Sequence, residues 1–179
     1  MNKYPHGSIK DREILSKLST KEKFDFLYLQ VRNIWRVDGL YFLKIEEMFG
    51  TEAATKIDTE IWKTMAIIEA KSLHRMFNAK ETKDIQTIMR LLLMSSWALD
   101  QPFKKTEIGD KNAVLSVVRC RTQETRLKKG LHEFPCKQVR LGYLQNFVET
   151  INPNAKARCM VCPPDKHSSN IWCKWEITI

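Results

Sequence analysis

All five cysteines fall between Cys120 and Cys173, in the pattern C-x15-C-x22-C-x2-C-x10-C formed by Cys120, Cys136, Cys159, Cys162 and Cys173. Cys159-Met160-Val161-Cys162 is a C-x2-C pair at a strand-to-turn junction, a spacing that lets two thiolates reach one ion with little backbone strain. Cys173 sits on the next predicted strand, which a hairpin would return to that pair. Cys136 immediately precedes a predicted helix, whose N-terminus favours a thiolate. Four thiolates suit tetrahedral zinc, with an iron–sulfur cluster as the alternative. The expected metal ligands are therefore Cys136, Cys159, Cys162 and Cys173. Free cysteines are also common as small buried hydrophobes.

Cys120 is left over. It lies between Arg119 and Arg121, cations that can depress a thiol pKa and make it nucleophilic. His132 and His167, in loops near the cysteines, are the candidate bases. Trp97, Arg121, Gln123, Arg126 and Trp175 are the candidate ligand contacts. Aromatic side chains can line a pocket, and guanidinium groups bind carboxylate or phosphate. No Gly-rich phosphate loop, Ser/His/Asp signature or paired-carboxylate motif stands out.

The elements that must position these residues divide near residue 100. Before it, apolar residues recur at helical spacing. Ser19-Thr20-Lys21-Glu22 reads as a capping box opening a helix with Phe24, Leu27, Val31 and Trp35. Asp38 is expected to cap a second helix that Gly50 ends. A third starts at Thr51 and carries Ala54, Ile57, Ile61 and Trp62. A fourth covers about 81–99. After Pro102 the period changes. Strands are expected over 112–120, 155–161 and 171–179, with helices over 122–129 and 137–151. The fold class is α+β, with N-terminal helices packed on a C-terminal antiparallel sheet crossed by one helix. Residues 1–100 form the helical part, and 101–179 the cysteine-rich part sharing one core with it.

The 179 residues carry a net charge of +9, with +2 in residues 1–100 and +7 in 101–179. A basic surface attracts anionic partners, but no nucleic-acid-reading motif accompanies it, so nucleic acid is disfavoured. No apolar run approaches the length of a membrane span. The first residues hold no apolar signal-peptide core, so a cytoplasmic location is expected. There the cysteines stay reduced, and an odd number of them argues against a disulfide framework.

Two groups of motifs carry a resemblance. Val37-Asp38-Gly39-Leu40-Tyr41-Phe42-Leu43 with Glu46-Glu47-Met48-Phe49-Gly50 and Trp62 form one group. Arg119-Cys120-Arg121-Thr122-Gln123, Phe134-Pro135-Cys136, Cys162-Pro163-Pro164-Asp165 and Trp172-Cys173-Lys174-Trp175 form the other. They resemble an uncharacterised prokaryotic family of cytosolic proteins. More distantly, Phe134-Pro135-Cys136, the helix with Leu141-Gly142-Tyr143 and the two cysteine strands resemble the 4-vinyl-reductase-type ligand-binding domain. That resemblance implies a zinc site at Cys136, Cys162 and Cys173, with Cys159 standing where an acidic residue is usual. Amino-thiazoline-carboxylate hydrolase-like proteins share the general layout. The expected function is a metal-stabilised small-molecule-binding or sensory protein, in a form compatible with a homodimer. The alternative is a small-molecule hydrolase using Cys120 with a nearby histidine.

Overall fold

The computed structural model describes residues 7–77 and 83–179. Ser8 caps α1 (Ile9–Ser16), accepting from the Asp11 amide. The expected capping box opens α2 (Thr20–Met76): Ser19 accepts from the Glu22 amide, and the Glu22 side chain accepts from the Ser19 amide. Asp38 does not cap a helix. The chain runs helically through it, because its carboxylate is engaged elsewhere, accepting from Trp62 Nε1 at 2.9 Å.

The break comes at Gly50, where φ is 83° and ψ is 164°. A straight helix would hold Trp35 and Trp62 about 40 Å apart. Their rings instead stack with centroids 4.5 Å apart, so the chain doubles back at Gly50 and α2 is a helical hairpin of segments 20–49 and 51–76. Asp84 caps α3 (Ile85–Leu93), and Ser95 caps α4 (Ser96–Leu99). The single helix expected over 81–99 is thus two, and its expected start at 81 lies outside the described residues.

The second half contains β1 (Lys104–Ile108), β2 (Asn112–Val117), α5 (Arg121–Lys128), α6 (Cys136–Ile151), β3 (Lys156–Val161) and β4 (Cys173–Thr178). The four strands form one antiparallel sheet in the order β1-β2-β4-β3. β1 is absent from the sequence expectation because it is polar and almost wholly exposed, with no alternation to reveal it. β2 shows the period of two, burying Ala113, Leu115 and Val117 opposite Ile177, Trp175 and Cys173 of β4. α6 packs between β3 and the α2 hairpin. Ala66 and Ala70 allow a close approach to α6, and Gly142 leaves room for the Lys63 stem, which would lie 2.9 Å from a Cβ there. One hydrophobic cluster contains Trp62, Leu92, Tyr143, Phe147 and Trp175, so it draws on both halves of the chain. Among the described residues, no helix is long and apolar enough to cross a membrane.

Nothing lies within 4 Å of a Cβ placed on Gly50, so the cost of a side chain there is conformational alone. That backbone region is essentially restricted to glycine and costs other residues about 1–3 kcal/mol. Gly50→Ala should lower the melting temperature by about 2–12 °C, at roughly 2–4 °C per kcal/mol for a domain of this size. An unchanged melting temperature would show that the hairpin does not depend on this torsion.

Candidate functional site

The first turn of α6 sets the site. Cys136 is its first residue, Arg140 follows one turn later on the same face, and Tyr143 lies on the next turn. The first segment of the hairpin adds Trp35 and Asp38, and the returning segment adds Asp58 and Trp62. Arg140 is 3% exposed. Its guanidinium carbon lies 4.8 Å from the ring centre of Trp97, 5.0 Å from Tyr143, 5.3 Å from Trp35 and 5.5 Å from Trp62. Aromatic faces attract a cation but supply no hydrogen-bond acceptor in its plane. Arg140 Nε and Nη1 are buried without a hydrogen-bond partner.

Two cavities meet beside this cage. The inner one, about 40 Å³, is lined by Arg140, Cys136, Cys120, Asp38, Asp58 and Trp97, among others. The outer groove, about 300 Å³, shares Trp35, Asp38, Asp58, Thr122 and Phe134 with it. Leu40, Phe42 and Leu43 give the groove apolar walls, and Arg36, Arg121, Arg126 and Lys129 lie along it.

Asp38 and Asp58 are hydrogen-bonded to each other. Burial, then the neighbouring Asp38 charge, pushes the Asp58 carboxyl up to about 8, against the opposing pull of Arg140. Burial also raises Asp38, while the Trp62 hydrogen bond opposes it. Two like charges in contact away from water cannot both ionise readily, so the pair holds one proton through neutral pH. Cys136 shifts the other way, down to about 7: the Cys162 thiol donates to its sulfur, burial opposes, and the Arg140 guanidinium adds to the lowering. Cys162 touches both Cys136 and Cys173, and its own pKa is raised by those contacts.

Gln123 holds the loop that leads into α6. Its Nε2 donates to the Phe134 carbonyl and its Oε1 accepts from the Phe134 amide, both at 2.8 Å. Arg126 forms a two-pronged ion pair with Glu46 at 2.8 and 2.9 Å and donates from Nε to the His132 carbonyl, tying α5 to the hairpin. Glu69 accepts from Tyr143 Oη and from the Ser96 amide, both at 2.6 Å, joining the hairpin, α6 and α4.

Among the residues singled out by sequence, Trp97 and Gln123 line the inner cavity and Arg121 and Arg126 the outer groove. Arg121 also pairs with Asp100 at 2.7 Å. Trp175 is fully buried in the sheet core and lines neither. Cys120 lines the inner cavity, but burial pushes its thiol up to about 12. Neither candidate histidine joins it: His132 is exposed, and His167 packs tilted by 40° against Trp172 and faces Glu133 Oε1 at 3.4 Å. Cys159 has its thiol raised to about 11, chiefly by burial. Among the described residues, no group of three or more His, Cys, Asp or Glu side chains is placed to hold a metal ion, so this geometry does not support zinc.

Sequence reasoning missed Trp35, Asp38, Asp58, Trp62 and Arg140. A signal was present, because each charge falls on an otherwise apolar helical stripe. Asp38 lies between Trp35 and Phe42, Asp58 between Ala54 and Trp62, and Arg140 between Cys136 and Leu144. Charged residues are rarely buried unless paired or functional.

This is an α+β protein in which a helical hairpin and a sheet-backed helix enclose a polar site beneath an apolar groove. The chain belongs to a family of unknown function, DUF6125, whose model matches residues 16–179. That agrees with the resemblance to an uncharacterised family, whereas the 4-vinyl-reductase-type resemblance gains no support from it. No curated protein matches the chain.

The carboxyl pair has a consequence for stability. An unfolded Asp58 loses its proton near its ordinary value of 3.8, whereas the folded one keeps it to about 8. Between those values the folded state binds more protons, so stability falls as pH rises. The melting temperature should therefore drop more steeply from pH 5 to pH 8 in the wild type than in Asp58→Asn. Parallel pH profiles for the two proteins would show that Asp58 is not the group responsible.

Proposed function

We propose that this protein binds a small molecule with an apolar body and a carboxylate or similar acid group. The observation that carries this reading is Arg140, which is buried with two guanidinium nitrogens lacking any acceptor. A buried unpaired donor is costly, and native proteins hold few such groups without a reason in water, ligand or chemistry. A carboxylate reaching the inner cavity would satisfy these donors with charge-assisted hydrogen bonds. The apolar groove would cover the rest of the ligand. Its size is at the lower end of the range for small-molecule sites, and Arg36 and Lys129, the cations along it outside the Arg121–Asp100 and Arg126–Glu46 ion pairs, favour an acid over a neutral compound. Gln123 and Arg126 have their polar groups committed to the Phe134 backbone, the His132 carbonyl and Glu46. In this reading they shape the site and leave ligand recognition to Arg140.

Thermal shift with benzoate, phenylacetate and hexanoate, each compared with its amide, tests this. A saturating acid at ~100 Kd stabilises by about 2.7 kcal/mol, which corresponds to a rise of roughly 5–10 °C. The rise should be absent with the amides and much reduced in Arg140→Gln and Arg140→Lys. Equal shifts from acids and amides, or a full response in both variants, would overturn the reading.

A further inference from the structure

We propose that two copies of this chain pair in an antiparallel dimer along the first arm of the hairpin, residues 20–49 of α2. The proposal is independent of the acid-binding reading. It starts from the amount of surface that one copy leaves open. The chain exposes 11548 Å², whereas a folded monomer of 21.0 kDa exposes about 9,000 Å². The excess, about 2,500 Å², matches what one subunit of a large permanent dimer buries, roughly 1,000–2,500 Å².

Large apolar side chains lie open along the first arm. Every side chain from residue 19 to residue 30 is exposed, among them Phe24, Phe26, Leu27, Tyr28 and Leu29. At about 100° per residue these five point to all sides of the helix. A helix that is apolar all round is a buried one. This segment therefore calls for protein neighbours on more than one side, which a flat lipid surface does not provide.

Farther along, the exposure settles into a stripe with a period of seven. Leu27, Ile34, Tyr41 and Met48 are 44%, 44%, 69% and 63% exposed, and a seven-residue repeat is the spacing at which two helices pack along their length. The stripe is self-complementary. With a two-fold axis beside Val37 and Asp38, an antiparallel copy sets Leu27 opposite Met48 and Ile34 opposite Tyr41. Each contact then occurs twice, as a symmetric dimer requires. The same pairing sets the 24–29 segment of each copy against the hairpin tip of the other, where Met48 and Phe49 are open. Arg36, Gly39, Leu40 and Leu43, which line the outer groove, fall on another side of this arm, so pairing leaves the groove open.

Sedimentation equilibrium of the purified chain at micromolar concentration should give twice the 21.0 kDa chain mass. Ile34→Glu combined with Tyr41→Glu should halve that mass. Both positions are exposed in a single copy, so the helical circular dichroism should persist. A second variant, Leu27→Cys with Met48→Cys, reads the register. Within one arm these positions lie about 32 Å apart, far beyond the reach of a disulfide. Oxidation with diamide should therefore yield a covalent dimer linked through positions 27 and 48, located by peptide mass spectrometry. This cross-link decides the matter alone if the glutamate variant fails to fold. A wild-type chain that sediments as a monomer would overturn the proposal. So would a monomer that binds phosphatidylcholine vesicles, since the stripe would then belong to a lipid surface. A dimer that survives the two glutamates, or that forms no link between positions 27 and 48, would equally overturn it by placing the interface elsewhere.

Discussion

The structure turns on the burial of one positive charge. A guanidinium removed from water costs several kcal/mol unless its surroundings replace its hydration. Around Arg140 that replacement is split among four aromatic faces, the Cys136 sulfur and the one negative charge shared by Asp38 and Asp58. These groups come from both arms of the hairpin, from α4 and from α6 itself, so the charge is accommodated only when all of them are in place. The Trp35–Trp62 stack, the Asp38–Trp62 hydrogen bond and the close approach of α6 all follow from meeting this one demand.

The same demand couples the polar groups to each other. Arg140 lowers Cys136 and opposes the rise of Asp58, while Asp38 raises Asp58 and also raises Cys136. A change at any one of them therefore alters the charge of the rest. Outside this centre, several supports are fully paired. Gln123 clamps the Phe134 backbone, Arg126 is matched by Glu46, and Glu69 receives both Tyr143 and the Ser96 amide. Single buried polar atoms without a partner also occur at Ser96, Gln101, Arg121 and Trp175, but Arg140 leaves two such nitrogens beside a cavity. The buried Arg140 nitrogens resemble the local inconsistencies that functional sites carry within otherwise consistent folds.

Much of the architecture was legible because it follows from local rules. The Ser19–Glu22 box, the helical stripe through Val31 and Trp35, the glycine at position 50, and the alternation of β2 and β4 need only neighbouring residues to be read. β1 was not legible, since an exposed edge strand carries no apolar period. Asp38 was misread for a related reason. An Asp before an apolar stripe is a good N-cap by propensity, but a distant indole claimed its carboxylate.

The sequence by itself determined the α+β class, the change of period near residue 100, and the gathering of cysteines in the second half. It did so because helix and strand periods, caps and turn residues act over one or two turns of chain. Only the tertiary structure decided which cysteine faces a cavity, which charges share it, and that the hairpin brings Asp58 and Trp62 back beside Asp38 and Trp35. Those facts depend on contacts between residues that are 20 to 100 positions apart. Spacing along the chain placed Cys120 between two arginines, yet in the fold burial pushes its thiol up to about 12, outweighing the Gln123 and Thr122 amides that lower it. Cys136, next to Lys137 in the sequence, has its thiol lowered instead by the Arg140 guanidinium from the next turn of its own helix, after the Cys162 contact. Side-chain spacing can suggest such a pair, but burial is what makes it chemically consequential.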